Sequence, residues 1–144
     1  MELGLEGKVA IVTGGSSGIG KAIVLALAAE GAQVATCARD LKKLQEAVKE
    51  IQKATRKELL AIPADTRNAE DIKSFVGQVL QRHGRVDILV NNAGISTAGS
   101  IESLPDDIWQ DNINTKVFGF MHFIREVLPV MRQQKWGRII NIAG

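Results

Sequence analysis

A glycine-rich segment near the amino terminus has the residue types and the spacing of an anion-binding loop. Gly14, Gly18 and Gly20 follow an apolar run at 9–12 and precede a second apolar stretch at 22–27. Glycine lets the backbone approach an anion closely, and a helix N-terminus offers unpaired N–H groups with partial positive charge. Because the segment lies between a strand pattern and a helix pattern, it predicts a pyrophosphate site rather than only a tight turn.

Three further residues lie inside this segment and belong to the same predicted binding loop: Ser16, Ser17 and Ile19. The two serine hydroxyls can donate to a bound phosphate, and they can equally be solvated as in any exposed loop. The sequence leaves both interpretations open.

The residue after the second predicted strand indicates which dinucleotide binds. About 20 residues beyond such a loop, an acidic residue would bind the ribose 2′-hydroxyl of NAD, whereas an arginine suits the 2′-phosphate of NADP. Here the strand ends at Ala38 and Arg39 follows, and a guanidinium can bind a phosphate through two parallel hydrogen bonds. We therefore predict NADP as the cofactor, with NAD less favoured. The alternative is that Arg39 pairs with Asp40 or lies in solvent.

The loop and Arg39 belong to a regular alternation of strand and helix patterns. Strands are predicted at 8–13, 33–38, 59–64, 86–90 and 138–142. The first helix is predicted at 20–30, the second after a cap at Asp40, and the third from a cap at Asn68 to Gly84. The fourth is predicted from Pro105 to about 134, with a late bend at Pro129, and Gly137 ends it.

Near-continuous apolar strands alternating with amphipathic helices predict an α/β fold with a doubly wound parallel sheet. Ligands of such sheets bind beyond the carboxyl ends of the strands. The residues that follow each strand are therefore the candidates for function.

Composition excludes several other classes of protein. A formal net charge of +2 and few aromatic residues argue against nucleic-acid binding, and no apolar run is long enough to span a membrane. Cys37 is the single cysteine, so no internal disulfide can form; we expect a buried residue and a reducing, cytoplasmic location. His83 and His122 have no second ligand at metal spacing. The 144 residues form one predicted domain, 1–144.

Four motifs, in this order, resemble the short-chain dehydrogenase/reductase family over essentially the whole chain. Thr13 and the three glycines match Thr-Gly-x-x-x-Gly-x-Gly, and Asp65 matches the acidic residue after the third strand. The run 91–94 matches the Asn-Asn-Ala-Gly turn, and Asn114 matches the asparagine of the long fourth helix. The resemblance implies a Rossmann sheet with strand order 3-2-1-4-5. It also implies an oxidoreductase that moves hydride between a nicotinamide and a small-molecule carbonyl or alcohol.

The resemblance assigns roles to these residues. In the family, the acidic residue contacts adenine, the turn lines the ribose and nicotinamide, and the asparagine interrupts its helix and holds a water in a proton relay. Judged by residue type alone, Asp65 could be a helix cap, Asn92 a turn residue and Asn114 an exposed polar side chain. Asn114 is the candidate catalytic residue. The predicted cofactor-binding residues outside the glycine segment are Arg39, Asp65, Thr66, Asn92, Ala93 and Gly94.

The chain departs from the family pattern in its catalytic residues. The family uses Tyr-x-x-x-Lys for proton transfer, and this sequence contains no tyrosine. The family's substrate-orienting serine would align with Gly144, the last residue. We therefore expect the amino-terminal portion of a longer enzyme, which by itself binds nucleotide weakly and turns over nothing. The alternatives are a non-catalytic nucleotide-binding or redox-sensing module and an inactive truncated isoform.

Association into a homo-oligomer, a tetramer or a dimer, is a further implication of the resemblance, because family members pair through the fourth helix and the next one. In this chain an apolar stripe on the fourth helix is either such an interface or core; its members are Val117, Phe118, Met121, Phe123 and Ile124.

Overall fold

The computed structural model describes residues 2–94 and 97–143. Its strands are β1 (Val9–Thr13), β2 (Gln33–Ala38), β3 (Leu59–Pro63), β4 (Ile88–Asn91) and β5 (Arg138–Asn141). Neighbouring strands are parallel and lie in the order β3-β2-β1-β4-β5. The predicted fold class and strand order are confirmed.

The helices between the strands cover both faces of the sheet. They are α1 (Gly18–Ala29), α2 (Leu41–Thr55), α3 (Ala69–His83), α4 (Asp106–Ile113) and α5 (Gly119–Gln134). Helices α1 and α2 pack together on one face, and α3 and α5 pack together on the other.

The central strand β1 is buried along its whole length because it contributes to both cores. Val9 and Ile11 face the core that contains Phe123 of α5, whereas Ala10 and Val12 face the core of α1 and α2. This alternation follows from the two-residue repeat of a strand. It explains the near-continuous apolar run in the sequence and fixes the carboxyl end of β1 at the middle of the sheet edge.

The predicted helix caps are confirmed where they depend on local chemistry. The Asp40 carboxylate accepts a hydrogen bond from Lys43 N (3.1 Å), and the Asn68 side chain accepts from the backbone N–H groups of residues 70 and 71. Gly84 ends α3 in the left-handed region, with a φ of 72°. Each of these caps satisfies backbone groups that the helix itself leaves unpaired.

The long fourth helix is interrupted at Asn114, as the resemblance implies, and it ends before Gly137. Between α4 and α5 the chain forms a π-helical turn over Asn114–Phe118, and the helix ends at a left-handed Lys135 rather than at Gly137. Pro129 lies within α5, which continues to Gln134. The π-turn coincides with a close approach: a Cβ atom at Gly119 would lie 2.6 Å from the Thr66 carbonyl oxygen. Such turns are frequent at functional sites.

The apolar stripe of this helix is divided between the core and the protein surface. Phe123 is buried in the core and Ile124 packs against it, whereas Val117, Phe118 and Met121 are 44–50% exposed. Cys37 is fully buried, and burial raises the pKa of its thiol to about 12, which keeps it from acting as a nucleophile near neutral pH. Among the described residues no helix is long and apolar enough to cross a membrane.

Asp87 is a buried carboxylate at the amino end of the sheet. It accepts hydrogen bonds from Val9 N (2.9 Å) and from Arg85 Nε and Nη2 (2.8 and 2.7 Å). Burial alone would raise the pKa of this carboxyl, but the bonds from Arg85 and Val9 outweigh it and the pKa is lowered. The charged form is therefore the one that the folded state stabilises.

We expect Asp87→Asn to lower the free energy of unfolding by about 1–3 kcal/mol at pH 7, because the amide cannot replace both acceptor oxygens. A carboxyl with a lowered folded-state pKa contributes stability above its unfolded pKa of about 3.9 and loses that contribution as pH falls through the folded-state pKa. The gap between wild type and variant should thus shrink below about pH 4. Urea denaturation from pH 7 to pH 2.5 measures it, with the exposed Asp107→Asn as control. A gap that does not change with pH would contradict this account.

Candidate functional site

A cleft of about 1070 Å³ runs along the carboxyl ends of the strands. It brings together the predicted cofactor-binding residues with the exception of Gly20, which lies beneath the loop. Those that line it are Gly14, Ser16, Ser17, Gly18, Ile19, Arg39, Asp65, Thr66, Asn92, Ala93 and Gly94. The structure thus places these residues together at one edge of the sheet, and their binding of a cofactor stays a prediction.

The glycine loop is tightly packed against its neighbours. Gly14 has a φ of +73°, and a Cβ atom there would lie 3.0 Å from Ala93 Cα. A Cβ atom at Gly20 would lie 2.1 Å from the Gly14 carbonyl oxygen. Glycine at these positions therefore lets the loop, the start of α1 and the turn after β4 share one small volume.

The N-terminus of α1 carries no side-chain cap. Its N-cap residue, Ser17, makes no capping hydrogen bond, and no acidic residue lies in the first turn, whereas α2 and α3 have caps at Asp40 and Asn68. The first N–H groups of α1 thus face the cleft without a side-chain acceptor. This end of the helix fits an anion such as a pyrophosphate.

Thr13 and Asn92 fix the turn after β4 to the glycine loop. Thr13 Oγ1 accepts hydrogen bonds from Asn92 N (2.9 Å) and Ala93 N (2.8 Å). In return Asn92 Nδ2 donates to the Thr13 carbonyl oxygen (3.1 Å). Asn92 therefore holds the turn in place through its side chain, while the neighbouring Ala93 and Gly94 line the cleft.

The β2 side of the cleft is positively charged. Arg39 is exposed at its rim, and Lys43 of α2 lines it nearby. Within the described ranges no carboxylate lies within 4.0 Å of the Arg39 guanidinium, and Asp40 instead caps α2. Of the alternatives raised for Arg39, pairing with Asp40 is not observed. The guanidinium is placed to meet an anionic group at this end.

Asp65 forms an ion pair with Arg67 that was not predicted from the sequence. Arg67 donates to both oxygens of Asp65 (2.8–3.0 Å) and to both oxygens of Asp111 on α4 (2.8 and 2.9 Å). The hydrogen bonds from Arg67 lower the pKa of the Asp65 carboxyl, against the effect of its partial burial. Asn68, rather than Asp65, caps α3. The only sequence signal for this bridge was an arginine two residues beyond a strand-end acid.

Asn114 does not line the cleft. Its Oδ1 accepts a hydrogen bond from Gln110 Nε2 (3.1 Å), and the π-turn instead directs Thr115 and Lys116 to the cleft. The helix is interrupted at Asn114, as the resemblance implies, and the proton-relay role of Asn114 stays a prediction. Gly144 lies outside the described residues. No group of three metal-ligating side chains was found in 2–94 and 97–143.

Comparisons with known proteins agree with this geometry. The short chain dehydrogenase family model matches residues 8–144. The chain is 40% identical over 137 residues to the 3-oxoacyl-acyl-carrier-protein reductase FabG of Staphylococcus epidermidis, covering 95% of this chain and 56% of that protein. It thus spans about half the length of the curated relatives that it matches.

Two solved structures are similar to the whole sheet and its helices. An L-sorbose reductase from Gluconobacter frateurii, complexed with NADPH and L-sorbose, has a TM-score of 0.91 at 35% identity, over 98% of this chain and 54% of that one. A metagenomic short-chain oxidoreductase in complex with NADP has a TM-score of 0.90 at 38% identity, over 97% and 63%.

Proposed function

Since this chain belongs to the short-chain dehydrogenase family, we propose that it binds NADP and serves an oxidoreductase that acts on a carbonyl or alcohol of a small molecule. The observation that carries the proposal is the cleft itself, where the uncapped N-terminus of α1 and the Arg39 guanidinium lie on one continuous surface. These are two anion-binding features, and NADP carries phosphate at two separate places. The complexes of similar proteins with NADPH and NADP support the same cofactor.

Different residues of the cleft would bind different parts of the dinucleotide. The first turn of α1 would bind the pyrophosphate, and Arg39 with Lys43 would bind the 2′-phosphate. Asp65 would lie beside the adenine, and it is held there by Arg67, which also binds Asp111. The remaining half of the ligand must then extend toward Ala93, Gly94 and the end of β5.

When bound, the nicotinamide would supply or accept the hydride at a carbonyl or alcohol carbon. This chain's own residues would hold and orient it: the Thr13–Asn92 hydrogen bonds keep the Ala93–Gly94 backbone in line with the glycine loop. The proton that the substrate oxygen gains or loses needs another group, since the sequence has no tyrosine. We therefore propose that these residues form the cofactor-binding part of the enzyme.

Association through the exposed apolar residues of the π-turn and α5 is part of the same proposal. Val117, Phe118 and Met121 lie together on one exposed helical surface, which a second copy of the chain could cover. A homo-oligomer and a cytoplasmic location both stay predictions.

Calorimetric titration of the full chain with NADPH and with NADH tests the cofactor proposal. We expect NADPH to bind at least about tenfold more tightly, because only its 2′-phosphate forms charge-assisted hydrogen bonds with Arg39. Equal or tighter binding of NADH would contradict the choice of NADP, and failure of both to bind would contradict the site. The same chain should reduce none of a panel of carbonyl compounds, and detectable reduction would contradict the proposal that it is only the cofactor-binding part.

A further inference from the structure

Lys116 is a cationic residue of the cleft that the motifs did not identify. It lies in the π-turn, is half-buried, and lines the cleft together with Thr115. Its side chain passes over Gly94, where a Cβ atom would lie 2.9 Å from Lys116 Cε. Glycine at 94 therefore makes room for the aliphatic part of this lysine at the cleft wall.

The charges of the cleft are unevenly divided between its two ends. Arg39, Asp40, Lys43, Asp65 and Arg67 lie on the side of β2 and β3. On the side of β4 and β5, Lys116 is the one charged residue among the described residues that line the cleft. If the adenine end of the ligand binds beside Arg39, the other end reaches the side where Lys116 lies.

We propose that Lys116 is a specificity-determining residue that makes the cleft bind the reduced dinucleotide more tightly than the oxidised one. The proposal rests on the proposed function, since it assumes that the cleft binds a nicotinamide dinucleotide. The nicotinamide ring carries a positive charge when oxidised and none when reduced, while the rest of the ligand is unchanged. An ammonium at this end of the cleft repels the first form and leaves the second unaffected.

The size of the effect follows from Coulomb's law in a partly solvated cleft. With an effective dielectric constant of about 40 to 80, two like charges about 6 Å apart weaken binding by about three- to tenfold. Hydrogen bonds that Lys116 donates to the ligand act on both redox forms alike, so they cancel in the ratio of the two dissociation constants. The ratio therefore isolates the charge of the ring.

The experiment compares Lys116→Gln with Lys43→Gln, which removes the same charge from the other end of the cleft. Dissociation constants of NADP+ and NADPH are measured by calorimetry on the full chain at low ionic strength. We expect the ratio of the NADP+ constant to the NADPH constant to fall about three- to tenfold in Lys116→Gln. In Lys43→Gln the ratio should stay within about twofold of wild type, and Lys116→Arg should restore it.

Adenosine 2′,5′-bisphosphate, which has no nicotinamide half, separates the two levels of the proposal. If it binds to wild type and to Lys116→Gln equally but the ratio does not change, the role of Lys116 is overturned and the proposed function stands. If neither this ligand nor NADPH binds to wild type, the proposed function fails, and the inference on Lys116 fails with it.

Discussion

Replacing Gly20 by alanine is expected to abolish measurable dinucleotide binding and to lower the free energy of unfolding by about 1–3 kcal/mol. The new Cβ atom would lie 2.1 Å from the Gly14 carbonyl oxygen and 2.5 Å from Asn92 Nδ2. The first of these is a backbone atom of the loop, so the loop and the start of α1 must move apart. That movement displaces the N–H groups that would bind the pyrophosphate and weakens the bonds that Asn92 makes to the loop.

Gly77→Ala is a matched control, because Gly77 is also a helical glycine and a Cβ atom there would meet nothing within 4 Å beyond its own stretch of helix. It lies in α3, away from the cleft, and should raise stability by about 0.5–1 kcal/mol through helix propensity. Urea denaturation and calorimetric titration with NADPH measure both variants. Retained binding in Gly20→Ala would show that the close packing of the loop is not needed for the ligand.

Replacing Arg39 by alanine should weaken NADPH binding by about 10- to 100-fold and leave NADH binding within about twofold of wild type. The reason is chemical: a hydrogen bond between charged partners contributes about 1.5–3 kcal/mol, and only NADPH has the 2′-phosphate that Arg39 can bind. The Arg39 side chain is exposed and caps no helix, so the variant should fold as wild type does.

Lys42→Ala is the control for general electrostatics. Lys42 lies in the first turn of α2 and does not line the cleft, so its removal changes the net charge by the same amount without touching the proposed phosphate site. Calorimetric titration of both variants with NADPH and NADH gives the comparison. An equal loss for both dinucleotides in Arg39→Ala would mean that Arg39 does not select the 2′-phosphate.

Local chemistry made much of the fold predictable. Asp40, Asn68 and Gly84 cap their helices as expected, because a cap depends on residues within one turn of chain. The glycine loop was predictable for the same reason, since it is identified by the residues that immediately precede and follow it. The strand pattern predicted a parallel sheet, and the resemblance to a family supplied the order of its strands, which the structure confirms.

What could not be predicted depends on contacts between distant parts of the chain. The resemblance implied an interruption at Asn114, but the π-helical form of that interruption coincides with Gly119 packing against the Thr66 carbonyl, 53 positions away in the sequence. No motif identified Thr115 and Lys116, which line the cleft beyond Asn114. The sequence likewise does not distinguish Arg67 from other surface arginines, because its partner Asp111 lies on α4, far away along the chain.

The π-turn also sets how far α4 is rotated about the helix axis relative to α5. One α-helical residue corresponds to a rotation of about 100°, so an extra residue in the turn lets α5 keep Phe123, Val127 and Met131 in the core while the preceding segment is rotated independently. Shortening this turn by one residue would leave both helices intact as helices but would turn α4 by about 100° about their shared axis. Arg67 would then lose Asp111. The length of the π-turn thus sets the angular position of α4 without changing how α5 packs in the core.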